Sequence, residues 1–318
     1  MNAEFDRKTQ SWAGRRDERP AFSATMLAGA ILITAALASG SAAAARAGSD
    51  RDYPVRKEEE IRKTLKFADV SKPGEVVVDN FFGPVTVEGY DGKDVVLVAR
   101  KTIRAKDADT VAKAEAEVKL DIAEEGRTVD IYVDGPFRDH EGSRRRFRSW
   151  REPGYEVHYA FEVKVPFRTD LAVSTVTGGD VEVRNVEGEF DVHNVNGKVR
   201  LSGIAGSGEA ATVNGELAVG FRRAPAGACG FKTVNGDVVV TLPPDTSADF
   251  RLKTFHGEAY SDFAVTSLPL RPAVREEKKG TFVFKSDRSV GVRVGKGGFE
   301  IALDTLNGDI LIKKKSSQ

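Results

Sequence analysis

"FDVHNVNGKVRL" (190–201) decides how this chain is read. Two short alternating runs, Phe190/Val192 and Val199/Leu201, flank Asn196-Gly197, a pair favoured in two-residue β-hairpin turns. Taken alone, the stretch is a hairpin. It has close relatives, however: "ATVNGELAV" (211–219), "KTVNGDVVV" (232–240) and "DTLNGDILI" (304–312). A unit that returns with its spacing intact is the mark of a repeat architecture.

Glycines 179, 188, 197, 206 and 215 fall at a constant step of nine. Aligned on them, the second position holds Val181, Phe190, Val199, Gly208 and Leu217, and the fourth holds Val183, Val192, Leu201, Ala210 and Val219. The seventh holds Val186, Val195, Ile204 and Val213, which the pattern predicts to point inward with the other two. The residue between the first two columns is mostly charged, so each unit reads as a short strand with one face in and one out. Asn185 and Asn194 sit at offset six, where the chain must bend. The same frame holds at Gly83, Gly236, Gly257 and Gly308, each with apolar residues seven, five and two positions earlier.

Three buried apolar side chains per unit stabilise by about 1.5–3 kcal/mol each. Ordering nine residues costs about 1–2 kcal/mol per residue. A single unit therefore does no better than break even, and units must stack. The predicted fold is all-β: a β-helix or β-solenoid-like stack of short strands, about nine residues per strand-turn unit and eighteen per coil. Stacked antiparallel hairpins are the competing geometry. The expected structural turns are Gly83, Gly179, Gly188, Asn196-Gly197, Asn214-Gly215, Asn235-Gly236, Gly257 and Asn307-Gly308. Asn tolerates a left-handed backbone there and Gly lacks a Cβ. One short helix is predicted near residues 107–118, with Asp107 or Asp109 as N-cap and Val111, Ala114 and Val118 on one face.

The 318 residues carry 48 basic and 48 acidic side chains, so no net field steers a polyanion, and nucleic acid is not an expected partner. Residues 1–47 read as a signal peptide, with arginines before an apolar run and cleavage after Ala47, or as an uncleaved N-terminal anchor and then the chain's one link to a membrane. Residues 48–69 read as a flexible charged linker, 70–314 as the repeat domain and 315–318 as a tail. Export to the periplasm or cell surface follows.

With this frame, the chain resembles a bacterial family of exported β-repeat proteins named putative adhesins, a domain of unknown function. The resemblance runs over roughly residues 70–314. It is carried by "VDNFFGPVTVEGYDG" (78–92), "VPFRTDLAVSTVTGGDV" (165–181), "VHNVNGKVRLSGIAG" (192–206), "ATVNGELAV", "KTVNGDVVVTLPPDTSADF" (232–250) and "LDTLNGDILIKK" (303–314). Gly178-Gly179 stands in place of Asn-Gly, His256 in place of Asn before Gly257, and the arginine-rich insertion is this chain's own. The resemblance implies an elongated β-stack without assigned catalytic residues.

Chemistry-bearing motifs are sparse. The histidines, His140, His158, His193 and His256, show no metal-ligand spacing and read as surface residues. The residues after the repeat glycines make no calcium cage. The lone Cys229 falls on an inward column and reads as a small hydrophobe. "GVRVGKGG" (291–298) fails the phosphate-loop spacing. No catalytic, metal or cofactor site is expected. Within the 137–154 insertion, Arg144, Arg145, Arg146, Arg148 and Arg151 surround Phe147 and Trp150 and form a candidate anionic-partner loop. The expected role is a non-enzymatic, adhesin-like envelope protein that binds a glycan, an anionic lipid surface or a protein. The alternatives are a carbohydrate-active enzyme on a β-helix and an envelope stress or signalling component.

Overall fold

A computed structural model describes residues 53–69, 72–138, 153–269, 274–278, 281–285 and 289–316. The N-terminal apolar segment and Arg144, Arg145, Arg146, Arg148 and Arg151 of the insertion lie outside these residues. The strands begin with β1 (Val55–Leu65), β2 (Glu75–Asp79), β3 (Val85–Tyr90) and β4 (Val95–Ala105). Helix α1 (Ala108–Glu117) follows, then β5 (Lys119–Glu125), β6 (Thr128–Asp134), β7 (Tyr155–Pro166) and β8 (Asp170–Ser174). The regular units form β9 (Val181–Arg184), β10 (Phe190–His193), β11 (Val199–Ile204), β12 (Gly208–Ala211), β13 (Leu217–Phe221), β14 (Cys229–Lys232) and β15 (Val238–Leu242). Last come β16 (Ala248–His256), β17 (Ala259–Ser261), β18 (Val265–Ser267), β19 (Val274–Lys278), β20 (Thr281–Lys285), β21 (Val290–Val294), β22 (Glu300–Asn307) and β23 (Ile310–Lys314).

The fold is all-β with one short helix, arranged in two large mixed sheets. One has ten strands in the order β1-β4-β7-β3-β9-β11-β13-β15-β23-β17. The other has eleven, β18-β21-β16-β22-β14-β12-β10-β8-β2-β6-β5, and β19 pairs with β20 apart from both. Strands on either side of each Asn-Gly turn belong to different sheets, so the turns do not close hairpins. Within a sheet the repeat strands pair in parallel eighteen residues apart: Val181 with Val199, Val199 with Leu217, and Phe190 with Gly208. That register sets Glu182 beside Arg200 on one sheet and Asp191 beside Glu209 on the other. The chain's final strands do not finish the stack. β22 lies between β14 and β16, and β23 between β15 and β17.

The inward columns at the second and fourth positions are buried throughout their apolar members. Val181, Val183, Val192, Val199 and Leu217 are essentially inaccessible. At the third column the structure corrects the sequence. Val186 and Ile204 are buried, but Val195 is half-buried and Val213 is 38% exposed. The buried residues there are the polar Asn194 and Thr212. The reason is the carbonyl of each turn glycine, which the fold places inside and which needs a donor.

Residues 55–65, expected within a flexible linker, form β1, paired antiparallel along its whole length with β4. Its dense charges of both signs fit an exposed sheet edge. The predicted helix is present. Asp107 caps it by accepting from Thr110 N at 2.8 Å, and Val111 and Ala114 are buried. Beneath it lies Lys101, 7% exposed, which donates to Val118 O at 3.1 Å. Burial holds its ammonium below the ordinary lysine range.

Candidate interaction surface

The Asn-Gly corners stack one on the next and align three parallel columns of residues. The outermost is an amide ladder. Asn214 Nδ2 donates to Asn196 Oδ1 at 2.8 Å, Asn235 Nδ2 to Asn214 Oδ1 at 2.7 Å, and Asn307 Nδ2 to Asn235 Oδ1 at 2.7 Å. His256 takes the next place, its Nδ1 2.9 Å from Asn307 Oδ1, where an N–H donates. The histidine that interrupts the sequence pattern thus continues the ladder.

The inner column satisfies the glycine carbonyls. Thr212 Oγ1 donates to Gly197 O, Thr233 to Gly215 O and Thr305 to Gly236 O, each at 2.9 Å, and Thr254 to Gly308 O at 3.0 Å. Asn194 Nδ2 reaches Gly179 O at 3.1 Å, and Asn80 Nδ2 reaches Gly83 O at 3.0 Å. Sequence reasoning missed the threonines and Asn80, and read Asn194 only as a bend residue. Their signal was present as Thr or Asn three positions before Gly83, Gly197, Gly215, Gly236, Gly257 and Gly308.

The turn glycines form a third column, governed by close approach. A Cβ at Gly197, Gly215, Gly236, Gly308 or Gly257 would fall on the carbonyl oxygen of Gly179, Gly197, Gly215, Gly236 or Gly308 respectively. Gly188 meets Thr169 O in the same way at another corner. The ladder asparagines do not need a left-handed backbone. Among the described residues, Asn185 (φ 56°) is the one non-glycine with positive φ.

Between amide ladder and inner column runs an apolar ridge. Backbone bonds of Asn196 N to Val176 O, Asn214 N to Val195 O, Asn235 N to Val213 O and Asn307 N to Val234 O fix its order. The ridge therefore reads Phe81, Val176, Val195, Val213, Val234, Leu306 and Phe255, one residue per strand at about 4.8 Å spacing. Leu306 is 45% and Phe255 66% exposed.

At the Phe81 end the insertion begins with an anchored pair. The Arg138 guanidinium lies 4.6 Å over the Tyr132 ring and bonds Asp79 Oδ1 at 3.1 Å, where Ser174 Oγ also donates. Phe137 packs on Phe81. The expected loop thus starts inside the fold for two residues. Arg144, Arg145, Arg146, Arg148, Trp150 and Arg151 lie outside the described residues, as does His140. His193 is bonded to Asp191 at 2.6 Å and His158 is partly exposed beside Phe82. Among the described residues no group of three or more His, Cys, Asp or Glu side chains could hold a metal ion. No helix among them is long and apolar enough to cross a membrane.

Cys229 is 2% exposed, and burial pushes its thiol up to about 11. The thiolate is the reactive form. A maleimide at neutral pH is expected to label the folded chain at least ~100-fold more slowly than the chain in denaturant, a ratio read by mass spectrometry.

No family model and no curated protein matches the chain. Among solved structures, it is similar to a putative cell adhesion protein from Clostridium sporogenes, with TM-score 0.37 and 11% identity over 81% of this chain and 100% of that one. A putative adhesin from Bacteroides fragilis aligns at TM-score 0.27 and 10% identity, covering 80% and 97% of the two chains. A putative lipid binding protein from Parabacteroides distasonis aligns at TM-score 0.24 and 11% identity, covering 81% and 97%. Likeness this distant carries no argument about role, which rests on the surface itself.

Proposed function

We infer that this chain is a non-enzymatic envelope protein, exported by its N-terminal segment, whose stacked corners bind an extended envelope glycan. One observation carries the reading: the apolar ridge, exposed at Val213, Leu306 and Phe255, runs beside the amide ladder of Asn196, Asn214, Asn235 and Asn307. Apolar side chains suit the C–H faces of sugar rings, and amides suit their hydroxyls. Because the amides are already bonded to one another, they are held in place before any ligand arrives, which lowers the ordering cost of binding. The eighteen-residue parallel registers support reading the core as solenoid coils of two strands each.

The test is retention of the purified chain on isolated peptidoglycan sacculi, compared with the Val213→Ser, Leu306→Ser, Phe255→Ser variant. The variant is expected to bind at least ~10-fold more weakly, the equivalent of about 1.4 kcal/mol. Equal retention of the two proteins would overturn the role of the ridge.

A further inference from the structure

The two ends of the stack are built differently. At one end the sheet edges are β1, "VRKEEEIRKTL", and β5, "KLDIAEE", dense in charge as protected edges are. At the other, β17 is "AYS", uncharged and exposed at all three residues. Among the described residues it pairs in parallel with β23 alone. Ile310 N donates to Glu258 O and Asp262 N to Ile312 O, so the intervening pairing with β23 runs through Tyr260. By the alternation of a parallel ladder, the N–H and C=O of Ala259 and Ser261 point away from β23. Tyr260 is 52% exposed, with Glu258 and Asp262 exposed on either side. Among the described residues no strand pairs with this outer side, which carries an aromatic ring and two carboxylates, Glu258 accepting from the Tyr260 hydroxyl at 2.6 Å and Asp262 from Lys314 N at 3.0 Å.

We propose that the β17 edge receives residues 144–151 of a second copy of this chain as an added strand. The segment Arg144-Arg145-Arg146-Phe147-Arg148-Ser149-Trp150-Arg151 carries five cations and two aromatic rings, and no proline. It complements Glu258, Tyr260 and Asp262 in charge and character, and strand addition supplies the main-chain bonds. The molecule's own segment does not reach. Seven strand spacings separate β7 from β17, and seven separate β6 from β16, about 34 Å in each case. Residues 139–152, leaving beside β6 and returning to β7, extend at most about 25 Å out and back. Docking is therefore between copies. Because it joins one end of a molecule to the opposite end of the next, it is heterologous and propagates into open chains unless the rotation closes. The proposal rests on the reading of the chain as a binding protein, but it uses a different surface from the ridge.

The test is sedimentation of the whole purified chain across a concentration series at low and at 0.5 M salt (~4 Å screening length). Wild type is expected to grow in mass with concentration at low salt and to revert at high salt. A variant with the five arginines changed to Ser, and separately Tyr260→Lys, should each weaken self-association at least about tenfold with unchanged thermal melting. Mixed together, the two variants should form a 1:1 complex and stop there, since only one loop and one edge remain intact. Wild type that stays monomeric, association untouched by either variant, or a mixture that does not pair would each overturn the proposal. Sacculus binding by the ridge is read separately and is unaffected by these outcomes.

Discussion

Val199→Asp unfolds the repeat, whereas Lys198→Ser next to it leaves stability within about 0.5 kcal/mol. Val199 has no solvent exposure and stands between Val181 and Leu217 in the centre of its sheet. A carboxylate there is charged and far from water, with apolar neighbours on both sides, and the expected cost exceeds about 4 kcal/mol. Lys198 is exposed. Its backbone N–H bonds Asp180 Oδ1 at 2.8 Å, a bond that Ser keeps, and its side chain makes one solvent-exposed contact with Glu216 at 3.5 Å. Exposed pairs of that kind contribute little. Urea denaturation followed by circular dichroism reads both. Equal tolerance of the two changes would mean that the inward column has been misassigned.

The second large effect is at the corners. Gly236→Ala is expected to destabilise by roughly 2–4 kcal/mol and to lower Tm by about 6–12 °C. The added methyl falls on the Gly215 carbonyl oxygen, and the φ of 150° already disfavours a side chain. That same oxygen accepts the Thr233 hydroxyl, so the backbone cannot retreat without breaking a buried bond. Gly220→Ala is the control. Its nearest neighbour would be Leu201 O at 3.8 Å, and its backbone is ordinary, so stability should change by less than about 0.5 kcal/mol. Differential scanning calorimetry of the two variants separates close approach from mere loss of glycine.

The nine-residue step made the strands, their inward faces and the eighteen-residue register legible, because alternation and period need only side-chain character. The corners were legible in place but not in mechanism. "T-V-N-G" contains one apolar residue, and hydrophobicity alone turns it inward. In the fold the Val faces out, because the inward place is taken by a donor for a carbonyl that only the neighbouring strand supplies. That contact lies between residues fifteen or more apart, so the recurring Thr marks the corner without naming its acceptor. The same applies to β1. Its charged sequence matches a linker until β4 is found to pair with it. Arg138 reads as loop until Asp79, from far earlier in the chain, is seen beside it.

The intercalation of β22 and β23 sets an order of events in biosynthesis. From β6 to β15 each new strand lands on one already made, so residues up to Leu242 can stack before the last strands appear. β16 and β17 cannot take their final positions next, because their neighbours β22 and β23 are made last. A chain crossing a membrane from its N-terminus would hold residues 248–261 unplaced until residues 300–314 arrive. For that interval, the outward edges of β14 and β15 are open to whatever meets them first. On the proposed export route, a helper protein would have its narrowest window of usefulness there, after most of the stack has formed and before its last sixty or so residues are through.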